Sequence, residues 1–348
     1  MAHSVKLVDV RSIPQYNFGS DHPFAVYRQL PFFDLVQELH LFQDTELIHP
    51  LLASDHDLAL AHDVEYVDFI KEISKPNPSS DLVRKAPNFG LGTGDCPIAI
   101  GLHEGGGTIA GGTLACMEEV LSGRAIHAFN SSGGLHHAMR RAASGFCIYN
   151  DLVIAIRKAK EGKGYRILYV DFDVHHGDGV ERAFYDDPSV LTLSFHENPD
   201  FLFPGTGRIS DLGEGKGKGF AVNVPLAPFT ADESWLDAIR QILIPLAHDF
   251  RPDLIVSQHG CDTHREDPLA HFQMTTQGML EAARITHTLA HELCDGRWVA
   301  TGGGGYQPLR VLPRVWTLIW GEMSEERVPE EIPQAWIDRW EKKSLGKL

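Results

Sequence analysis

The stretch Tyr169-Val-Asp-Phe-Asp-Val-His-His-Gly-Asp-Gly179 constrains this chain more than any other. The apolar run from Ile167 to Val170 leads into it and Gly177 and Gly179 close it, so it reads as a buried strand ending in a loop of acids and imidazoles. Extended, the segment puts Asp171, Asp173 and His175 on one side and Phe172, Val174 and His176 on the other. Two carboxylates and an imidazole at a buried strand end are costly without a counter-charge. A bound cation resolves that cost, and mixed oxygen and nitrogen donors suit zinc, iron, cobalt or manganese.

Strand and helix patterns alternate along the rest of the chain. Apolar runs at 125–129, 190–195, 253–258 and 298–301 predict further strands. Helical periodicity predicts helices at 31–42, 63–73, 105–123 and 276–294, and one around 315–320 followed by a charged, featureless tail. Asn150 reads as the N-cap of a helix over 151–161 stopped by Gly162, and Thr230-Ala-Asp-Glu233 as a capping box opening a helix that reaches about Phe250 and bends at Pro245. The loop 88–97 has too little around its glycines to cradle a phosphate, and 213–219 reads as a surface turn. With no repeat and no linker, the expectation is an α/β fold. A single doubly wound, mostly parallel sheet carries helices on both faces, in one domain over 1–348.

Composition sets limits on partners. With 31 Lys and Arg against 47 Asp and Glu, the formal charge of −16 argues against non-specific nucleic-acid or membrane binding. No apolar run approaches a membrane span and the amino terminus lacks the apolar core of a signal peptide, which predicts a cytoplasmic protein. The five cysteines, Cys96, Cys116, Cys147, Cys261 and Cys294, are scattered, so reduced thiols are expected and a cysteine zinc site is not.

In open α/β sheets the site lies beyond the carboxyl ends of the strands. Four predicted strand ends deliver candidate groups: His136 and His137, the run from Asp171 to Asp178, Asp262 with Asp267, and Tyr306 after the four glycines 302–305. Asp173, His175 and one of the two later aspartates would supply three metal ligands and leave a position open for water. A metal of this kind makes hydrolysis feasible near neutral pH. His137 suits proton transfer and Tyr306 suits hydrogen bonding to an oxyanion.

The motifs Gly133-Gly-Leu-His-His-Ala138, Gly145-Phe-Cys147, Asp171-Phe-Asp-Val-His-His-Gly-Asp-Gly179, Phe203-Pro-Gly-Thr-Gly207, Asp267-Pro-Leu269 and Gly302-Gly-Gly-Gly-Tyr306 together resemble the zinc-dependent histone deacetylase family, whose fold is the arginase/deacetylase type. The resemblance spans roughly residues 16 to 320. Within the family, Gly260 to Leu269 and Val311 to Trp316 resemble the bacterial acetoin utilization proteins. The resemblance implies Asp173, His175 and Asp267 as zinc ligands, with Asp262 outside the set. It implies His136 and His137 as the catalytic imidazoles, held by Asp171 and Asp178, and Tyr306 as the clamp on the acetyl carbonyl. Phe146 and Phe203 would wall a lysine channel, Asp95 would hold substrate backbone at the rim, and Gly145 and Gly304 would join the substrate surface. It further implies potassium at Asp171, Asp173, His175, Ser194 and Phe195, an acetate exit at Arg28, and zinc, or iron(II), as the catalytic metal.

Two positions depart from the eukaryotic pattern. Leu135 stands where a tryptophan precedes the paired histidines there, and Gly94 where a tyrosine commonly precedes the rim aspartate; both reshape the mouth of the site. The expected activity is removal of acetyl groups from acetyl-lysine of proteins. Rival readings are a deacetylase of acetylated polyamines or other small amines, a binuclear-manganese ureohydrolase, and a non-catalytic acyl-lysine binder.

Overall fold

The structure, a computed structural model, describes residues 4–343 except 15, 20, 25 and 26, so the first residues of the polar amino terminus, part of the 16–23 loop and the end of the charged tail lie outside it. Among the described residues eight strands form one sheet: β1 (Val5–Val8), β2 (Leu47–Ile48), β3 (His127–Asn130), β4 (Ile167–Asp171), β5 (Val190–Glu197), β6 (Ala221–Leu226), β7 (Leu254–Gln258) and β8 (Trp298–Thr301). Their order is β2-β1-β3-β8-β7-β4-β5-β6, with every pairing parallel. Parallel strands need crossovers that cover both faces, which is why β4 and β7 are buried along their whole length with no solvent-exposed side.

Adjacent residues of β3 show the two covered faces. Asn130 donates from Nδ2 to the Ile109 carbonyl and Thr113 Oγ1 of the helix Leu102–Leu121, while the Phe129 ring lies 5.8 Å from Phe32, which in turn meets Trp316. Alternation along the strand sends these side chains to opposite faces. The core continues through fully buried Trp235, Trp298, Trp316 and Trp320.

Several boundaries differ from the sequence reading. The helix capped by Asn150 runs Asp151–Lys163 and stops at Gly164, whose φ of +66° ends it, not at Gly162. The Thr230 capping box does not form. The helix Asp232–Phe250 starts after Ala231, passes through Pro245, and Thr230 Oγ1 instead donates to the Ala227 carbonyl. Asp232 is occupied elsewhere, accepting from the amide and hydroxyl of Thr275. The charged tail contains a helix, Gln334–Trp340, whose Trp336 is buried and donates to the Pro31 carbonyl. No helix among the described residues is long and apolar enough to cross a membrane.

Candidate active site

β4 ends at Asp171, and the acids beyond it turn the chain by binding its own backbone. Asp171 Oδ1 accepts the Asp173 amide at 3.1 Å and Asp173 Oδ1 accepts the His175 amide at 3.0 Å. As a result Asp173 and His175 face one another, with His175 Nδ1 3.0 Å from Asp173 Oδ1, while Asp171 Oδ2 turns to His136 Nδ1 at 2.8 Å. The expected alternation thus stops with the strand.

The third member of the cluster is Asp262, not Asp267. Asp262 Oδ2 lies 3.0 Å from His175 Nδ1, and its Oδ1 accepts the Val174 amide at 3.0 Å, which ties the β7 loop to the β4 loop. Asp173, His175 and Asp262 converge as a buried metal-capable group. Asp267 is committed elsewhere: its two oxygens accept the amides of Leu269 at 3.0 Å and Tyr306 at 2.7 Å. It positions the tyrosine loop and is not part of the convergent group.

The donor set fits a cation. Burial and Asp173 push the Asp262 carboxyl up to about 6, and burial and Asp262 push Asp267 up to about 7. Burial also opposes ionisation of Asp173, but His136 and His175 outweigh it and hold this group well below the usual range. Crowded carboxylates around one imidazole are short of positive charge. Tetrahedral zinc with bonds near 2.0–2.1 Å would space its ligand atoms by roughly 3.3 Å, close to the 3.0 Å contacts of His175. Asp173 Oδ2 accepts from Gln258 Nε2 and from the Gly304 amide, both at 2.7 Å, so its orientation is fixed from behind. A Cβ at Gly304 would fall 1.9 Å from Asp262 Oδ2, which is why the backbone there must be glycine.

The paired imidazoles sit beside this group. His136 and His137 approach through their Nε2 atoms at 3.0 Å, and His137 Nδ1 bonds Asp178 Oδ1 at 2.7 Å. Their environments push them apart. Burial lowers the His136 pKa, but Asp171 and Asp173 overcome it and raise it to about 9. Burial and the neighbouring His136 hold His137 below the ordinary imidazole value despite Asp178. The loop carrying them is braced by two residues the sequence reading gave no site role: Asp151 accepts the amides of Gly134 and Leu135, and Asn150 Nδ2 donates to the carbonyls of His136 and Ala138.

Tyr306, Gly304, Leu135 and the two imidazoles line one cavity with Asp173, His175 and Phe24, a residue the sequence reading also gave no role. Phe146 and Phe203 lie further out. Phe203 is 45% exposed with its ring 5.0 Å from His137, and Phe146 meets Tyr306 edge-on at 5.6 Å. Gly145 and Phe146 both take positive φ, and a Cβ on Gly145 would strike the His137 ring at 2.2 Å. Asp95 is at the rim, but one oxygen already holds the Gly145 amide at 2.7 Å. Arg28 is buried under the glycine run, donating to the carbonyls of Gly303 at 2.7 Å and Gly305 at 3.0 Å over the faces of Phe24 and Trp316. Asp171 and Ser194 are register partners, yet Ser194 Oγ is bonded to His196 Nδ1 at 2.9 Å, and Phe195 stacks on Phe172 in the core.

The histone deacetylase domain family matches residues 22–323. The chain belongs to the histone deacetylase family. It is thereby placed among the deacetylase hydrolases, and its relatives include the acetoin utilization protein AcuC of Bacillus subtilis (strain 168), 45% identical over 95% of this chain and 85% of that protein. AcuC of Staphylococcus xylosus is 35% identical over 98% of this chain and 88% of its own length. Among solved structures, an HDAC homolog complexed with SAHA superposes with a TM-score of 0.87 at 33% identity, covering 97% of this chain and 89% of that one. An HDAC homolog from Aquifex aeolicus gives 0.85 at 32% identity, over 96% and 88% of the two chains. This family member therefore has the arginase/deacetylase-like fold expected from its motifs.

Proposed function

We propose that the chain removes acetyl groups from the ε-amine of acetyl-lysine, releasing acetate and the free amine, with a divalent metal held by Asp173, His175 and Asp262. One observation carries this reading: two imidazoles, each clamped by its own buried carboxylate, open onto the same cavity as Asp173, His175 and Tyr306. Zinc or iron(II) suits that donor set. Bound there, such a metal would lower the pKa of a coordinated water and polarise the substrate carbonyl.

The remaining chemistry belongs to the chain. The Nδ1–H of His137 goes to Asp178, which leaves Nε2 as acceptor for the proton of the attacking water. His137 then returns that proton to the leaving amine. His136, kept charged beside Asp171, donates from Nε2 and stabilises negative charge developing at the carbonyl. Burial, with Asp262 and Asp173, holds the Tyr306 phenol protonated, so it donates to the oxyanion. Phe146 and Phe203 would guide the alkyl chain of lysine inward, and the Arg28 guanidinium would meet departing acetate. Potassium at Asp171, Asp173, His175, Ser194 and Phe195 rests on the family resemblance; Ser194 donates its hydroxyl proton to His196 Nδ1 and keeps its oxygen lone pairs for a cation.

The test compares a short acetyl-lysine peptide with an acetylated polyamine, using zinc-loaded wild type and Tyr306→Phe. Peptide cleavage by wild type, falling by about 10²- to 10³-fold in the variant, is the expected result. Turnover of the polyamine alone would transfer the same chemistry to small amines. No turnover of either, with zinc bound, would overturn the hydrolase reading.

A further inference from the structure

The amino ends of the strands, opposite the site above, carry a second convergence of donors. His127 opens β3 and is in register with Trp298, which opens β8. His287 and His291 lie one turn apart on the helix Thr276–Cys294, the i, i+4 spacing that presents two imidazoles on one face. All three meet through Nε2: His291 is 3.2 Å from His127 and 3.1 Å from His287. The group is metal-capable by geometry and shares no residue with the active-site cluster.

We propose that His127, His287 and His291 form a second divalent-metal site that clasps the helix Thr276–Cys294 to the amino end of β3. Proton positions supply the reason. His287 Nδ1 is 3.0 Å from Glu322 Oε1, and that carboxylate also accepts from Arg284 Nε at 3.2 Å, so the His287 proton belongs on Nδ1 and its Nε2 carries a lone pair. Two Nε2···Nε2 contacts then remain to be satisfied through His291. If His291 Nε2 is protonated toward His287, it has no lone pair to offer His127. If it accepts from His127, its lone pair faces that of His287. A neutral triad thus leaves one contact without a well-aligned proton, whereas a cation takes all three lone pairs.

The supporting residues match what such a site needs. Glu322 orients a ligand imidazole through its other nitrogen, the carboxylate–histidine arrangement seen behind metal-bound histidines. Trp298 stacks on His287 at 5.8 Å and meets His127 edge-on at 5.4 Å, which fixes both rings. A surface groove lined by Leu280, Arg284, His287, Glu322 and Arg327 gives a path from solvent. Three imidazoles and no thiolate select a borderline divalent cation, zinc, cobalt or nickel, over calcium or magnesium, with the fourth position taken by water.

The experiment uses the untagged, metal-stripped full-length chain dialysed against cobalt(II), with bound metal counted by elemental analysis and its ligand-field spectrum recorded. Wild type is expected to hold two equivalents, His291→Ala one and Asp262→Asn one, with different visible spectra in the two variants. His291 is exposed, so its removal should leave the fold and deacetylation intact; His287→Gln provides a second ligand change with a similar ring-sized side chain. Loss of one equivalent and of the three-imidazole spectrum in both histidine variants supports the site. Retention of the wild-type equivalents and spectrum in His291→Ala and His287→Gln would overturn it. Neither result depends on acetyl-lysine being the substrate.

Discussion

The two ends of the four-residue strand β3 are chemically opposite. Beyond Asn130, at the carboxyl end, imidazoles are paired one-to-one with carboxylates and a further Asp–His–Asp group lies alongside; at the amino end, His127 joins two more imidazoles with a single carboxylate behind them. The first arrangement concentrates negative charge where a polarising metal and proton transfer are needed. The second is nearly neutral and touches structural elements only. Parallel strands aim their loops at one end, so the carboxyl end can assemble groups from four crossovers, while the amino end receives side chains chiefly from packed helices.

The sharpest way to break this contrast is to remove charge at the carboxyl end. Asp262→Asn is expected to reduce acetate release to background and to lose the active-site metal, while Asp267→Asn, which keeps an oxygen for the Tyr306 amide, retains substantial activity. Equal loss in both, measured by kcat and bound metal, would return Asp267 to the ligand set. His137→Gln should lower kcat by roughly 10²- to 10⁴-fold with little change in metal content, because it carries protons and binds no metal. Asp151→Ala should cost roughly 3 kcal/mol of stability in urea unfolding, since it strands the Gly134 and Leu135 amides in the interior.

A further contrast is in pH dependence. Burial pushes the His62 pKa down to about 4, and the ring bridges the Met139 carbonyl and the Asn150 amide beneath the paired-histidine loop. The unfolded chain has an imidazole pKa near 6.5, so below that pH it takes up a proton that the fold refuses. Stability is full above about 6.5 and falls as pH drops toward 4, by up to about 1.4 kcal/mol per unit from this group. His62→Gln should flatten the urea midpoint against pH in that window. An unchanged slope would assign the acid sensitivity to other groups.

Much of this was legible from local sequence. The apolar run before Asp171 fixed the central strand, and strand-end motifs brought together both imidazoles, their two carboxylates and Tyr306. Asp262 and Asp267 were not separable that way, because each follows β7 on one loop and only the Val174 amide, from another loop, decides which carboxylate turns inward. Pro225 masks the edge strand β6 in the sequence, whereas the one-turn spacing of His287 and His291 is a readable signal within an amphipathic helix.

The most direct measurement is acetate release from an acetyl-lysine peptide by metal-stripped protein as zinc is restored. The account predicts no release before addition, recovery in wild type and in His291→Ala, and none in Asp262→Asn at any zinc level that leaves the wild type active. Release without metal, or recovery in Asp262→Asn, would contradict it.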